Sequence, residues 1–385
     1  AALTLPLSLN TLQNSLLTEH SALVEYLLGD ERSYLICVTK NSFHLASLPS
    51  AQSIQDSLTA YLSFLEDPSI PAPKGLPAAR RLYTDLLQPV EGFIPVSVDH
   101  LIIVPDGILF RLPFETLALP GTEPSSAASY LNNRYVISYA PSASALSFLA
   151  RKPKTTYPKE VLAFGVPEYP RQNRGATVEG FYSAASVLDE LYKRNGFIMA
   201  PIPNARREIR GLANRVPPDK ADLYSGDKAT EGAFKHLDLE AYRLIHLACH
   251  AFSDDRYPLR SALVFSAGQD DREDGFLQVS EMYDLRTNAD LVVLSACQTG
   301  RGKIVRNEGI LGLPRIFFYM GARSVISTLW PVHDKAGAAF MDYFYDAYFR
   351  GNGKASALQF AKQKMAGTKY SHPYYWASYT LTGEF

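Results

Sequence analysis

Apolar runs alternate with amphipathic stretches along the chain from residue 159 onward. Runs rich in strand-forming residues cover 160–165, 242–249, 290–296 and 324–330, and apolar residues at helical spacing cover 179–195, 230–239, 310–320, 335–349 and 354–364. Strands that alternate with helices in this way are typical of βαβ units. The pattern therefore predicts an α/β domain with a mainly parallel central sheet.

The first 150 residues have a different pattern. Two strand-like runs, 22–28 and 34–39, flank a Gly-Asp-Glu turn and predict a hairpin. A polar stretch with two prolines, 151–158, separates this region from the alternating one and predicts a linker. We therefore expect a smaller N-terminal α/β region over 1–150, a linker over 151–158 and the main domain over 159–385.

Composition narrows the function classes. Of the 385 residues 46% are hydrophobic and 20% are charged, which is typical of a globular protein. The formal net charge of -1 gives no electrostatic case for nucleic acid or a membrane surface, and no apolar stretch reaches a membrane span. Three cysteines, an odd number, indicate a reducing compartment, and we expect the cytoplasm. Because the chain begins at Ala1 rather than Met, we expect a fragment or a processed form.

The candidate chemistry lies where two of the apolar runs end. His250 ends the run that begins at Leu244, and Cys297 ends the run that begins at Leu291. If the two strands pair in parallel, their carboxyl ends form one crevice and bring the imidazole and the thiol together. A thiol has a pKa of about 8.5, and a neighbouring imidazole can take its proton. The pattern predicts a cysteine nucleophile with a histidine base, which needs no cofactor or metal.

Structural roles for the same residues stay open. Free cysteines are often buried, so the alternative to a nucleophilic role for Cys297 is packing in the hydrophobic core. Cys249 alternates with His250 along the strand and is expected in the core, whereas His246 shares the face of His250 and is expected to be a buried histidine with a hydrogen-bonding partner. These four residues also form a conceivable zinc set, but strand alternation points Cys249 the other way.

Several segments of the chain carry a family resemblance. They are Leu247-Ala248-Cys249-His250-Ala251, Leu294-Ser295-Ala296-Cys297-Gln298-Thr299-Gly300, Glu308-Gly309, Gly321-Ala322-Arg323-Ser324-Val325-Ile326, Thr328-Leu329-Trp330-Pro331-Val332, Pro105-Asp106-Gly107 and Leu112-Pro113-Phe114-Glu115. With these segments the chain resembles the CHAT family of caspase-like cysteine proteases, relatives of separases that are often attached to tetratricopeptide repeats. The spacing of 47 residues from His250 to Cys297 is also close to the roughly 50 residues found in caspases.

The resemblance implies a fold and an activity. The fold is a three-layer α/β/α caspase-like domain with a mainly parallel central sheet, preceded by a smaller α/β pseudo-caspase-like region. The activity is endopeptidase cleavage of a protein or peptide substrate by the dyad, through an acyl-enzyme, with activation by a protein partner or by a repeat region. The backbone N–H groups of Ala251 and Cys297 would bind the oxyanion, although caspase-type folds usually have Gly where this chain has Ala251.

Residues near the same sheet edge are candidates for the substrate pocket. They are Trp330, Asp334, Glu308, Asp254 and Asp255. Trp330 has a core role as its alternative, and Asp334 has the role of a helix N-cap. Two other functions stay open: a catalytically silent module that acts as a regulated protein-binding scaffold, and an esterase or acyl-transfer enzyme that uses the same dyad.

Overall fold

The computed structural model describes residues 7–120, 130–153, 155–166, 200–254, 256–266, 273–295, 303–305 and 309–385. The chain divides into two compact units. Unit 1 comprises Ala1–Lys154, Ile304–Leu311 and Tyr343–Phe385, and unit 2 comprises Thr155–Lys303 and Gly312–Asp342.

The strands in the described part of the chain are β1 (Ser21–Leu27), β2 (Ser33–Thr39), β3 (Phe43–Leu48), β4 (His100–Val104), β5 (Val136–Tyr139), β6 (Lys159–Gly165), β7 (Ala221–Ser225), β8 (Tyr242–Ala248), β9 (His250–Phe252), β10 (Ala262–Val264), β11 (Phe276–Gln278), β12 (Leu291–Leu294), β13 (Lys303–Val305), β14 (Gly309–Leu311), β15 (Ser324–Thr328) and β16 (Tyr379–Gly383).

The α-helices in the same part are α1 (Leu9–Ser15), α2 (Ala51–Leu65), α3 (Leu76–Leu86), α4 (Gln88–Glu91), α5 (Ala143–Ala150), α6 (Ala205–Ala213), α7 (Glu231–Lys235), α8 (Val279–Met282), α9 (Leu313–Met320), α10 (Asp334–Phe349) and α11 (Lys354–Ala366). None of these described helices combines the length and the apolar character that crossing a bilayer requires. The predicted helix over 179–195 lies outside the described residues.

The sheet of unit 1 has the strand order β3-β2-β1-β4-β5-β16. Strands β1, β2 and β3 are antiparallel to one another, so the predicted hairpin is confirmed. Strand β1 then pairs in parallel with β4, β4 with β5, and β5 with β16. This unit is α/β, as the sequence predicts.

The boundaries of the two units differ from the predicted division into 1–150, 151–158 and 159–385. The first break falls inside the predicted linker, but the end of the chain belongs to unit 1. The reason is a strand pairing, since Thr382 of β16 lies opposite Tyr139 of β5. The domain division itself stays a prediction.

The sheet of unit 2 has the strand order β15-β12-β8-β6-β7, and each neighbouring pair is parallel. Almost every residue of β8, β12 and β15 is buried. Parallel strands that are covered on both faces read as continuous apolar runs, and this is why the sequence identifies them. The predicted mainly parallel sheet is confirmed.

Helices cover one face of the unit 2 sheet through a large apolar cluster. Phe164, Leu247 and Val292 of the sheet share this cluster with Phe234 of α7 and Phe317 of α9. All five side chains have 2% exposure or less. This cluster forms the main core of unit 2.

A second helical layer covers the opposite face. A Cβ added to Gly165 of β6 would lie 2.9 Å from Cδ1 of Ile209 and 3.0 Å from the carbonyl oxygen of Ala205, so the glycine allows α6 to approach the sheet closely. The middle of α10 lies beside α6, where the guanidinium of Arg207 is 3.8 Å from the carboxylate of Asp342. Unit 2 therefore has three layers, helix, sheet and helix.

Candidate active site

The two strands that precede the predicted dyad are neighbours in the sheet. Strands β8 and β12 pair in parallel, with Leu247 opposite Leu294. His250 and Cys297 each follow three residues after this pair in the sequence. The predicted pairing of the two strands is confirmed. Cys297 lies outside the described residues, so the dyad itself stays a prediction.

His250 begins a small second sheet directly after β8 ends. Strands β9, β10 and β11 form a three-stranded antiparallel sheet, in which Val264 lies opposite His250 and Leu263 lies opposite Ala251. Both His250 and Ala251 are 4% exposed. The pairing of these strands therefore fixes the backbone position from which the imidazole of His250 extends. The role of the Ala251 N–H as an oxyanion donor stays a prediction.

A backbone carbonyl fixes the tautomer of His250. Its Nε2 lies 2.6 Å from the carbonyl oxygen of Ala200. A carbonyl can only accept a hydrogen bond, so Nε2 must carry a proton, and the lone pair of the neutral ring belongs to Nδ1. The nitrogen that can act as a base is therefore Nδ1. The sequence gives no signal for the role of Ala200, because a backbone acceptor leaves no side-chain signature.

The surroundings of His250 favour its neutral form. Burial lowers its pKa from the ordinary 6.5, because a buried site disfavours the charged ring. The hydrogen bond to Ala200 and the negative charge of Asp334 oppose this shift. Since the net direction is downward, the ring is mainly neutral at pH 7, as a general base requires.

Cys249 and His246 take the structural roles that the sequence predicts for them. Cys249 is 1% exposed and belongs to the apolar cluster on the α7 and α9 side of the sheet. His246 is fully buried on the other side, with its Nε2 2.9 Å from Oε1 of Glu208 in α6. Because Cys249 packs in the opposite layer, it does not complete a zinc set with His246 and His250.

Asp334 does not cap its own helix. It is the first residue of α10, and the preceding His333 provides the cap, since Nδ1 of His333 accepts a hydrogen bond from the Ala336 N–H at 3.3 Å. The N-cap alternative for Asp334 is therefore wrong. Its Oδ2 instead accepts two hydrogen bonds from Asn204, from the side-chain Nδ2 at 2.6 Å and from the backbone N–H at 3.2 Å.

The other candidates for the substrate pocket differ in what the structure describes of them. Trp330 is 1% exposed, which favours its core role over a pocket wall. Oδ1 of Asp254 accepts hydrogen bonds from the N–H groups of Arg256 and Tyr257, at 2.9 and 2.8 Å, and so shapes the loop after β9. Glu308 and Asp255 lie outside the described residues. A substrate-binding role for any of these residues stays a prediction.

Comparison with protein families gives one match that covers most of the chain. The family model of the CHAT domain matches residues 76–384. The matched region includes His250, Cys297 and the strands β8 and β12 that precede them in the sequence.

Two curated relatives are similar in sequence to this chain over most of its length. Tetratricopeptide repeat protein 28 of Homo sapiens is 27% identical over 345 residues, and the same protein of Mus musculus is 25% identical over 352 residues. Each alignment covers 80% of this chain but 13% of the relative. The chain therefore spans about an eighth of the length of these proteins.

Solved structures share the fold at low sequence identity. The Saccharomyces cerevisiae separase-securin complex matches with a TM-score of 0.56 and 11% identity, over 97% of this chain and 31% of that chain. The Arg-specific cysteine proteinase gingipain R matches with a TM-score of 0.50 and 8% identity, over 95% of this chain and 78% of that chain. The α/β fold with its mainly parallel sheet is thus caspase-like.

Proposed function

This chain belongs to the CHAT domain family, and from that premise we propose that it is a cysteine endopeptidase that uses His250 and Cys297. The observation that carries the proposal is the hydrogen bond from Nε2 of His250 to the Ala200 carbonyl. It leaves Nδ1 as the basic nitrogen of a ring whose pKa is lowered. The pairing of β8 with β12 adds support, because His250 and Cys297 follow these two neighbouring strands in the sequence.

The proposed reaction begins with a proton transfer. Nδ1 of His250 takes the thiol proton of Cys297, and the thiolate attacks the carbonyl carbon of the scissile peptide bond. The carbonyl oxygen becomes an oxyanion, which accepts hydrogen bonds from the N–H groups of Ala251 and Cys297. The C–N bond then breaks, and the imidazolium gives its proton to the leaving amine. An acyl-enzyme remains on sulfur.

Hydrolysis of the acyl-enzyme uses the same base. Nδ1 of His250 takes a proton from water as the oxygen attacks the thioester carbonyl. The C–S bond breaks, the carboxylic acid product leaves, and the proton returns to the sulfur. Throughout both steps the Ala200 carbonyl holds the ring in one tautomer, which is the task that a carboxylate performs in a Ser-His-Asp triad.

We also propose that a protein partner or a tetratricopeptide repeat region controls the activity. The curated relatives are tetratricopeptide repeat proteins, of which this chain spans 13%. The matched separase structure is a complex with another protein, securin. A chain of this length that turned over peptides constitutively, with kcat/KM above roughly 10⁴ M⁻¹s⁻¹, would contradict this control.

The expected compartment of the enzyme is the cytoplasm. Cys37 is a free, buried thiol in the structure. A free thiol fits a reducing compartment.

The proposal is tested by cleavage of a peptide library, with products identified by mass spectrometry. Cys297→Ala and His250→Ala are expected to lower the cleavage rate by at least ~10³-fold. Cys37→Ala and His236→Ala are the matched controls, and His236 is exposed. Both controls are expected to cleave like the unmodified chain.

Other outcomes identify the alternative functions. Cleavage that survives Cys297→Ala excludes the dyad. Hydrolysis of esters without hydrolysis of peptides identifies an esterase. If the chain cleaves nothing and an acyloxymethyl ketone probe does not label Cys297, the catalytically silent scaffold is the better account.

A further inference from the structure

The side chain of Asn204 is used in an unusual way. Asn204 is the N-cap residue of α6, but its side chain makes no capping hydrogen bond to that helix. Asparagine is favoured at this position because its side-chain oxygen usually accepts an N–H of the first turn. Here Nδ2 donates to Oδ2 of Asp334 at 2.6 Å, and the backbone N–H donates to the same oxygen at 3.2 Å. The residue ties its segment to α10.

The segment that this contact holds carries the hydrogen-bond acceptor of His250. Ala200 lies four residues before Asn204, and its carbonyl oxygen is 2.6 Å from Nε2 of the imidazole. Ala200, Pro201 and Pro203 are exposed, so packing restrains the segment little. The two prolines have nearly fixed φ angles, so the segment is stiff. A displacement of Asn204 would therefore displace the Ala200 carbonyl.

Other contacts keep the two helices together without Asp334. Arg215 donates from its guanidinium to the backbone carbonyl oxygen of Asp342 at 3.1 Å and to its carboxylate at 3.3 Å. Arg207 lies 3.8 Å from the same carboxylate. Loss of the Asp334 contact should thus release the Ala200–Asn204 segment and leave α6 beside α10.

We propose that Asp334 is a positioning residue of the dyad: through Asn204 it holds the Ala200 carbonyl at the place where that oxygen keeps His250 protonated on Nε2. The catalytic consequence rests on the proposed peptidase function. The effect on the imidazole does not, and it can be measured in a chain that has no activity.

Three variants separate the hydrogen bonds of Asp334 from its charge. Asp334→Asn keeps an acceptor oxygen for Asn204 and removes the charge. Asn204→Ala removes the 2.6 Å contact and keeps the charge, and Asp334→Ala removes both. Asp342→Asn is the matched control, because this residue lies on the same helix as Asp334 but contacts Arg207 of α6 and Arg215, which follows α6.

The first readout is the tautomer of His250, measured by ¹⁵N NMR of the imidazole in a Cys297→Ala background. The parent protein with Cys297→Ala alone is expected to show a protonated Nε2. The variants Asp334→Asn and Asp342→Asn are expected to show the same. Asn204→Ala and Asp334→Ala are expected to show a mixture of tautomers. A purely Nε2-protonated ring in both of these variants would overturn the proposal.

The second readout is kinetic and uses the chain with Cys297 intact. Asn204→Ala and Asp334→Ala are expected to lower kcat by about 10–100-fold with KM changed less than about twofold, the size of effect seen when the support of a catalytic group is lost. Asp334→Asn is expected to retain kcat within a few-fold. A rise in KM with kcat unchanged would instead identify Asp334 as a substrate contact. If no variant and no parent cleaves peptides, the peptidase proposal fails, and the NMR result still decides the positioning role.

Discussion

Leu247 of β8 and Leu294 of β12 lie opposite each other in a parallel pair. His250 and Cys297 each follow three residues later in the sequence. Because the carboxyl ends of neighbouring parallel strands lie at one edge of a sheet, the segments that follow β8 and β12 start from the same edge. This relationship is the structural basis for the proposed dyad.

The pH dependence of peptide cleavage should reflect the lowered pKa of His250. The reaction needs the neutral ring, so activity is lost as the pH falls through the pKa of that ring. Burial moves this pKa below the ordinary 6.5. The pH at which activity falls to half of its maximum should therefore also lie below 6.5. The measurement is kcat/KM of the free enzyme against pH. An acidic midpoint at or above 6.5 would contradict the buried-base account.

A buried ion pair in unit 1 should be important for stability. Lys362 of α11 contacts Glu115, both side chains are 2% exposed or less, and the Tyr139 hydroxyl donates to Glu115 at 2.5 Å. Lys362→Met leaves the carboxylate buried without its cation and should cost about 3–5 kcal/mol in unfolding free energy.

The control for Lys362 is an ion pair in the same unit whose cation is exposed. Arg81 and Asp85 are in contact at 2.7 Å, and Arg81 is 66% exposed. Arg81→Ala should cost less than ~1 kcal/mol. The double variant Lys362→Met/Glu115→Leu should recover most of the loss. Urea unfolding measures all three, and equal costs for Lys362→Met and Arg81→Ala would refute the prediction.

A carboxylate cluster in unit 2 should make stability depend on pH. Lys235 lies 2.6 Å from Glu231, 2.6 Å from Glu273 and 2.8 Å from Glu281. Burial raises the pKa of Glu231 from 4.5 to about 7. Between these values the folded state holds a proton that the unfolded state has released. The resulting stabilisation is complete below pH 4.5 and is lost as the pH rises through 7.

Glu231→Gln tests this dependence because glutamine does not titrate. The unfolding free energy of the variant, relative to the unmodified chain, should rise from pH 5 to pH 8. Urea unfolding at both pH values gives the comparison. The prediction fails when the difference between the two proteins is the same at pH 5 and pH 8.

Gly321, in one of the segments that carry the family resemblance, should tolerate no side chain. Its φ is +126°, and an added Cβ would lie 2.1 Å from the carbonyl oxygen of Thr287. Gly321→Ala should cost at least ~3 kcal/mol in unfolding free energy.

Gly351 is the control for Gly321, since its φ is +95° but no atom lies within 4 Å of an added Cβ. Gly351→Ala should cost about 1–2 kcal/mol, from backbone strain alone. Equal losses in thermal unfolding would exclude the steric explanation.

The sequence predicts the sheet of unit 2 well and the support of the candidate site poorly. Strands β8 and β12 are continuous apolar runs, because both faces of a parallel sheet are buried. The contacts of Ala200 and Asn204 depend on tertiary structure, since they join residues 50 and 130 positions apart. The Lys362–Glu115 pair, 247 positions apart, has no local signal either.

The most direct test of the central claim is the reactivity of Cys297. Iodoacetamide alkylation of each cysteine can be followed by mass spectrometry from pH 5 to pH 10, in the unmodified chain and in His250→Ala. Cys37, whose pKa burial raises to about 11, is the unreactive internal control. If His250 takes the thiol proton, Cys297 at pH 7 should react at least ~10-fold faster in the unmodified chain, and in the variant it should titrate near 8.5. Identical profiles for Cys297 in the two proteins would contradict the dyad.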